Sequence, residues 1–213
     1  MPVNTVLFDL DGTLVDTLPL IRDTYQKVFQ SMGIPWRGGE VMSFIGVPLR
    51  DIARHYAGER HQEFFRLYQY YYGLEHDTRT RPYPGTLRLL SGLAESGYKI
   101  GVVTSKTRKV AERAISCCSL EPFVNALVAV DDVRKPKPEP EPVFKALDLL
   151  RSSVDQAVFI GDSSFDFVAG RRAGVMTLAV AWGITSGPDL NEVDADGVLY
   201  HWSDLRKYLS PAD

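Results

Sequence analysis

Two cysteines, four histidines and no apolar run near the roughly 18 residues of a membrane helix leave several classes of protein without material. Cys117 and Cys118 are neighbours, where a bridge would be strained, and no further cysteine stands at zinc-ligand spacing. Both are expected to be reduced thiols near a helix end. His55, His61, His76 and His201 show no metal-ligand pairing and are expected on the surface or in the core. Charge of one sign is scarce as well. The chain has 24 basic and 27 acidic residues, a net charge of −3, and its basic residues are scattered, which argues against a nucleic-acid partner. The opening MPVNTVLFDLDG lacks a basic leader region, so a cytoplasmic protein that does not enter a membrane is expected. Internal repeats and low-complexity segments are missing too.

The 213 residues, 45% of them apolar, suffice for one compact core with a modest insertion. Thr5–Phe8 reads as a strand, followed at once by the polar turn Asp9-Leu10-Asp11-Gly12-Thr13. Apolar spacing predicts an amphipathic helix over Leu18–Met32, and helical patterning continues through Val41–Ile45, Leu49–Tyr56 and Gln62–Leu74. Thr78–Gly85, with prolines at 82 and 84, reads as a linker. Strands at Lys99–Val103, Ala126–Val130, Ala157–Ile160 and Met176–Val180 then alternate with helices at Thr86–Glu95, Arg108–Cys117, Pro142–Leu150 and Phe165–Ala173. A short strand at Gly197–Leu199 and a helix at Leu205–Leu209 close the chain. The expected fold is α/β: a Rossmann-like parallel sheet with helices on both faces, carrying an inserted all-helical cap. The core is expected at 1–15 and 81–213 and the cap at 16–80.

In such sheets the active site lies beyond the carboxyl ends of the strands. Those ends deliver Asp9 and Asp11, then Thr104 and Ser105, then Lys135 and Lys137 by way of Asp131 and Asp132, and finally Asp162 and Asp166. The set suits phosphoryl transfer. A carboxylate can attack phosphorus and split a slow hydrolysis into two easier steps. Carboxylates repel a phosphate dianion, so Mg²⁺ is expected between them, with hard oxygen ligands from Asp9 and Asp162. Lys137 can neutralise developing charge, Thr104 can hydrogen-bond a phosphoryl oxygen, and Asp11 can protonate the leaving oxygen and later deprotonate water.

FDLDGTLVDT, VVTSK, KPEPEP and FIGDSSFDFVAG resemble the four ordered motifs of the haloacid dehalogenase superfamily, and the helical insertion after the first resembles the C1 cap of its phosphoglycolate phosphatase-like group. The stretch from DDV through KPEPEPVFKAL to VAGRRAG and AVAWG is similar to phosphoglycolate phosphatases and their pyrophosphatase relatives. The resemblance implies Asp9 as nucleophile and Asp11 as general acid/base, with the Asp11 backbone carbonyl on Mg²⁺ beside Asp9 and Asp162. It implies Thr104 and Lys137 on the phosphate, and Asp166 holding Lys137 or a metal-bound water. Lys135 is the rival lysine; the family's lysine opens the K-P-x-P-x-P-V run, which here begins at Lys137. Gly12, Thr13, Ser105, Lys106 and the cap's Arg50 are further candidates for substrate contact.

The acid at Asp11 favours a phosphatase over a dehalogenase or phosphonatase, and Ile21 stands where β-phosphoglucomutases carry a cap histidine. The implied activity is Mg²⁺-dependent hydrolysis of a small phosphorylated metabolite, a phosphoglycolate-like phosphomonoester, through an aspartyl phosphate. Inorganic pyrophosphate is the alternative substrate; a phosphotransferase or a silent phospho-ligand binder is the remoter one. Asp16 is expected to cap the first helix, with Thr17 as its rival. The aromatic run Phe64 to Tyr72 is expected to pack within the cap or against a partner, so the protein is expected to be a monomer or homodimer.

Overall fold

The computed structural model describes residues 2–209; position 1 and positions 210–213 of the expected core segments lie outside them. β1 (Thr5–Phe8) leads to β2 (Val15–Asp16), then α1 (Leu18–Met32), α2 (Leu49–Ala57) and α3 (His61–Arg79), and returns through β3 (Arg81–Pro82). The alternating part follows as α4 (Thr86–Glu95), β4 (Lys99–Val103), α5 (Arg108–Cys117), β5 (Ala126–Val128), α6 (Glu141–Leu150), β6 (Ala157–Gly161), α7 (Ser164–Ala173) and β7 (Met176–Val180). β8 (Gly197–Leu199) and α8 (Arg206–Leu209) end the described chain.

Among the described residues one parallel sheet runs β5-β4-β1-β6-β7-β8, with β1 between β4 and β6. Alternation along the strands assigns the two faces. Val6, Phe8, Ile100, Val102, Val158 and Ile160 pack with α4 and α5, while Leu7, Val103 and Phe159 pack with α6 and α7. Apolar surface is therefore buried on both sides, as the short, nearly all-apolar strand sequences require. The α/β fold class is as expected.

That helical segment has its own core, in which Tyr25, Phe29, Phe64, Tyr68 and Tyr72 pack on Leu20, Val28 and Ile52. The predicted aromatic run divides by helical face: Phe64, Tyr68 and Tyr72 are buried, whereas Tyr70 is exposed. The two chain crossings join as an antiparallel ribbon, Val15 opposite Pro82 and Asp16 opposite Arg81. This ribbon is two residues long on each side, too short to show a period. Asp16 does not cap α1 because its backbone belongs to the ribbon; Thr17 occupies the cap position without a side-chain capping bond. α3 also runs to Arg79, past the expected linker start. Cys117 is exposed, Cys118 is buried, and both are free thiols. Among the described residues no helix is long and apolar enough to cross a membrane.

Candidate active site

Asp9 follows β1 directly, and its backbone N–H is held by the Ile160 carbonyl of β6 at 2.8 Å. Three residues on, Gly12 turns the chain through φ +73°, a left-handed conformation that a side chain disfavours. A Cβ there would lie 2.0 Å from Asp162 Oδ2, and one on Gly183 would lie 2.1 Å from Asp162 Cβ. Asp162 is thus wedged between two glycines, one beyond β1 and one beyond β7. Its Oδ2 accepts the Ile184 N–H at 2.8 Å, while its Oδ1 is buried without a hydrogen-bond partner.

Lys137 arrives on the loop after β5, through a cis peptide to Pro138. Its ammonium donates to Asp9 Oδ1 at 2.7 Å, Asp166 Oδ1 at 2.6 Å and the Val103 carbonyl at 3.2 Å. Asp166 sits in the first turn of α7, where its Oδ2 accepts the backbone N–H of Ser163 at 3.1 Å and the Ser163 hydroxyl at 2.5 Å. This reciprocal cap fixes the start of α7 and the direction in which Asp166 faces Lys137. Lys135 is exposed, with only its backbone N–H tied to Glu141, so Lys137 is the lysine that reaches the carboxylates.

Burial and mutual repulsion set the electrostatics. Desolvation pushes the Asp9 pKa up to about 7; Lys137 opposes that, and Asp166 and Asp11 reinforce it. Asp162 is raised well above the carboxylate range by burial and then by the charges of Asp9 and Asp166. Burial also opposes the charged form of Lys137, but Asp166 and Asp9 outweigh it and its pKa rises. Oxygens of Asp9, Asp162 and Asp166 lie within 4.8 Å of one another, close enough to hold a metal ion.

Asp11 is engaged on both oxygens. Thr17 Oγ1 donates to Oδ1, and the Lys106 ammonium pairs with Oδ2 at 2.8 Å. Lys106 also lies 4.8 Å from the ring centroid of Tyr72, which belongs to α3. Thr104 is buried, and its hydroxyl oxygen accepts the Lys106 N–H at 3.2 Å. Ser105 faces the helical segment, where its hydroxyl donates to the Gly46 carbonyl at 2.5 Å. Thr13 is fully buried; its carbonyl accepts Trp182 Nε1 at 3.2 Å, and its hydroxyl has no partner.

The structure therefore brings Asp9, Asp11, Gly12, Thr104, Ser105, Lys106, Lys137, Asp162 and Asp166 to one rim of the sheet. Arg50 is not among them. It is exposed on α2, its guanidinium 5.7 Å above the Phe65 ring, on the side of α2 that packs toward α3. An arginine stacked on an aromatic face there makes a surface contact. Thr17, Tyr72, Ser163 and Ile184 are contacts that the sequence did not single out for the site, whereas Gly183 ends the AVAWG stretch. Ser163 alone carried a local signal, as an N-cap three residues before an acid.

A protein-family model described as haloacid dehalogenase-like hydrolase matches residues 6–180. The chain is a haloacid dehalogenase-like hydrolase. It is 35% identical over 207 residues to "Pyrophosphatase PpaX" of Halalkalibacterium halodurans, covering 96% of each chain. It is also 35% identical over 211 residues to the protein of that name in Bacillus mycoides, covering 99% of this chain and 98% of the relative. Among solved structures it is similar to a predicted phosphoglycolate phosphatase of Haemophilus somnus, with TM-score 0.87, 22% identity, and 96% and 97% of the two chains covered. A haloacid dehalogenase-like family protein of Streptococcus pneumoniae gives TM-score 0.82 at 25% identity, covering 98% and 99%. The relatives' names, with Asp11 two residues after Asp9, set this hydrolase among the phosphatases of its family.

Proposed function

We propose that this haloacid dehalogenase-like hydrolase cleaves a phosphoryl group from a small phosphorylated substrate through an aspartyl phosphate on Asp9, with Mg²⁺. The observation that carries the reading is the clustering of the Asp9, Asp162 and Asp166 carboxylates beside one ammonium, that of Lys137, which pairs with Asp9 and Asp166, while Asp162 Oδ1 is buried and without a partner. Three carboxylates against one lysine leave an excess of negative charge that a divalent cation would offset. Hard oxygen donors in a compact buried set fit Mg²⁺, and the carboxylates of Asp9 and Asp162 with the Asp11 carbonyl are the groups that would hold it. Bound there, it would supply the charge neutralisation that lets a phosphate dianion approach a carboxylate.

The chain's own residues do the rest. Asp9 attacks phosphorus, and the leaving oxygen takes a proton from the Asp11 carboxyl. Asp11 then accepts a proton from the water that attacks the phosphorus of the aspartyl phosphate, and Asp9 is released. Lys137 and Thr104 hold phosphoryl oxygens, and Asp166, locked by Ser163, keeps Lys137 aimed at Asp9. Segment 16–80 acts as the cap that excludes water and meets the leaving group, with Ser105 to Gly46 as one of its contacts on the core.

The relatives named as pyrophosphatases make inorganic pyrophosphate the first substrate to test. Phosphoglycolate is second: it is the substrate of the sequence-based reading, since the solved structures so named carry only the fold. The test is an assay with pyrophosphate, phosphoglycolate, sugar phosphates and p-nitrophenyl phosphate, with and without EDTA. Turnover that requires Mg²⁺ and is lost in Asp9→Asn supports the reading; turnover at wild-type level in Asp9→Asn would falsify it.

A further inference from the structure

Lys106 is a second lysine at the site, largely shielded from solvent, and the mechanism above gives it no task. Its side chain and that of Asp11 are only 12% and 11% exposed. Its ammonium lies between Asp11 Oδ2 and the ring of Tyr72, so it stands where the core's acid meets the helical segment. The Tyr72 hydroxyl is itself buried, without a hydrogen-bond partner of normal geometry. Thr17 occupies the other oxygen of Asp11.

An acid that protonates the leaving oxygen has to touch it. With Thr17 on Oδ1, the leaving group reaches Asp11 through Oδ2, the oxygen that Lys106 now holds. A leaving group entering there displaces one partner of a buried ammonium. A neutral group would leave Lys106 short of a charge partner in a desolvated place, which is costly. A group carrying its own anionic oxygens would replace Asp11 with a charge-assisted hydrogen bond of the same kind, and could accept the Tyr72 hydroxyl as well.

We propose that Lys106, with the Tyr72 hydroxyl, forms the leaving-group subsite and selects substrates whose leaving group is itself an anion, a phosphate or a carboxylate-bearing alcohol. The inference rests on the reading of Asp9 as nucleophile and Asp11 as acid. It adds a specificity device made jointly by core and helical segment, and it treats pyrophosphate and phosphoglycolate as one class.

The decisive comparison uses phosphoglycolate and ethyl phosphate, which share a primary-alkyl leaving group and differ in its carboxylate, with pyrophosphate as a third substrate. Wild-type kcat/KM is expected to favour phosphoglycolate over ethyl phosphate by about 100-fold. In Lys106→Met that ratio is expected to collapse by at least about tenfold through loss on the anionic substrates, with partial retention in Lys106→Arg and a smaller loss in Tyr72→Phe. A wild-type ratio near one overturns the proposal without any variant. So does a Lys106→Met enzyme in which both substrates fall equally, because Lys106 would then serve only to hold Asp11. Wild-type turnover of p-nitrophenyl phosphate that depends on Asp9, combined with a ratio near one, sinks this inference and leaves the proposed function standing. Wild-type failure on every phosphate sinks both.

Discussion

The Lys137 ammonium donates to Asp9 Oδ1 at 2.7 Å, joining residues 128 positions apart in the chain. Lys137 is 3% exposed and is shared with Asp166, which is fully buried. Lys137→Met would strand buried carboxylates without their counter-charge, a change that costs about 3–5 kcal/mol. Urea unfolding in EDTA is expected to show that loss together with inactivity. The double variant Lys137→Met/Asp166→Asn should recover part of the stability and none of the activity. Equal stability of wild type and the single variant would show that the pair contributes nothing to the fold.

Asp162 is positioned by what its neighbours lack. Gly183→Ala puts a Cβ 2.1 Å from Asp162 Cβ, with backbone on one side and a buried carboxylate on the other, so Asp162 has to shift. The expected outcome is a folded protein whose activity needs at least about tenfold more Mg²⁺ for half-saturation, as for disturbed metal surroundings generally. Titration of activity against Mg²⁺ checks this. An unchanged titration would mean that Asp162 does not hold the ion.

His76 gives stability a pH dependence of definite sign. It is fully buried at the end of α3, its Nδ1 2.7 Å from Asp77 and its Nε2 without a partner. Burial lowers its pKa from 6.5; the bond to Asp77 opposes that, and Arg113 and Lys106 across the junction add to the lowering. Tyr72 packs on the ring at 5.3 Å. Below pH 6.5 the unfolded chain binds a proton that the folded chain refuses, so this contribution is present above 6.5 and is lost as pH falls through the window beneath it. As pH falls from 8 to 5 in EDTA, the melting temperature should therefore drop more steeply for wild type than for His76→Phe. Superimposable pH profiles would remove His76 from the account.

Arg50 tests the placement of the helical segment. Because its guanidinium is exposed and rests on Phe65, Arg50→Ala is expected to change kcat/KM less than about twofold for every substrate. A rise in KM confined to anionic substrates would bring Arg50 back to the site.

Much of this was legible before the structure. The strands that end in Asp9, Thr104 and Asp162 are short, apolar and followed by polar residues, so their carboxyl ends could be read directly. Two lysines in one proline-rich stretch could not be separated by spacing; burial separates them, because Lys137 turns inward and Lys135 does not. The tie between Lys106 and Tyr72 was hidden, since it joins a loop to a helix 34 positions earlier and no spacing within either segment shows that they meet. Arg50 could not be placed from its position alone, because a cation near a helix start says nothing about which way that helix faces. The ribbon of β2 and β3 escaped because four residues hold no periodicity.

The central claim is a covalent phosphoryl group on Asp9, and it can be trapped. Mg²⁺-loaded enzyme is mixed with excess substrate, quenched within the first turnovers and reduced with borohydride, which converts an aspartyl phosphate to homoserine, before peptide mass spectrometry. The account predicts homoserine at position 9 and nowhere else, absent when substrate is omitted. Homoserine at another aspartate would contradict it, as would phosphate release at the normal rate in an Asp9→Asn enzyme.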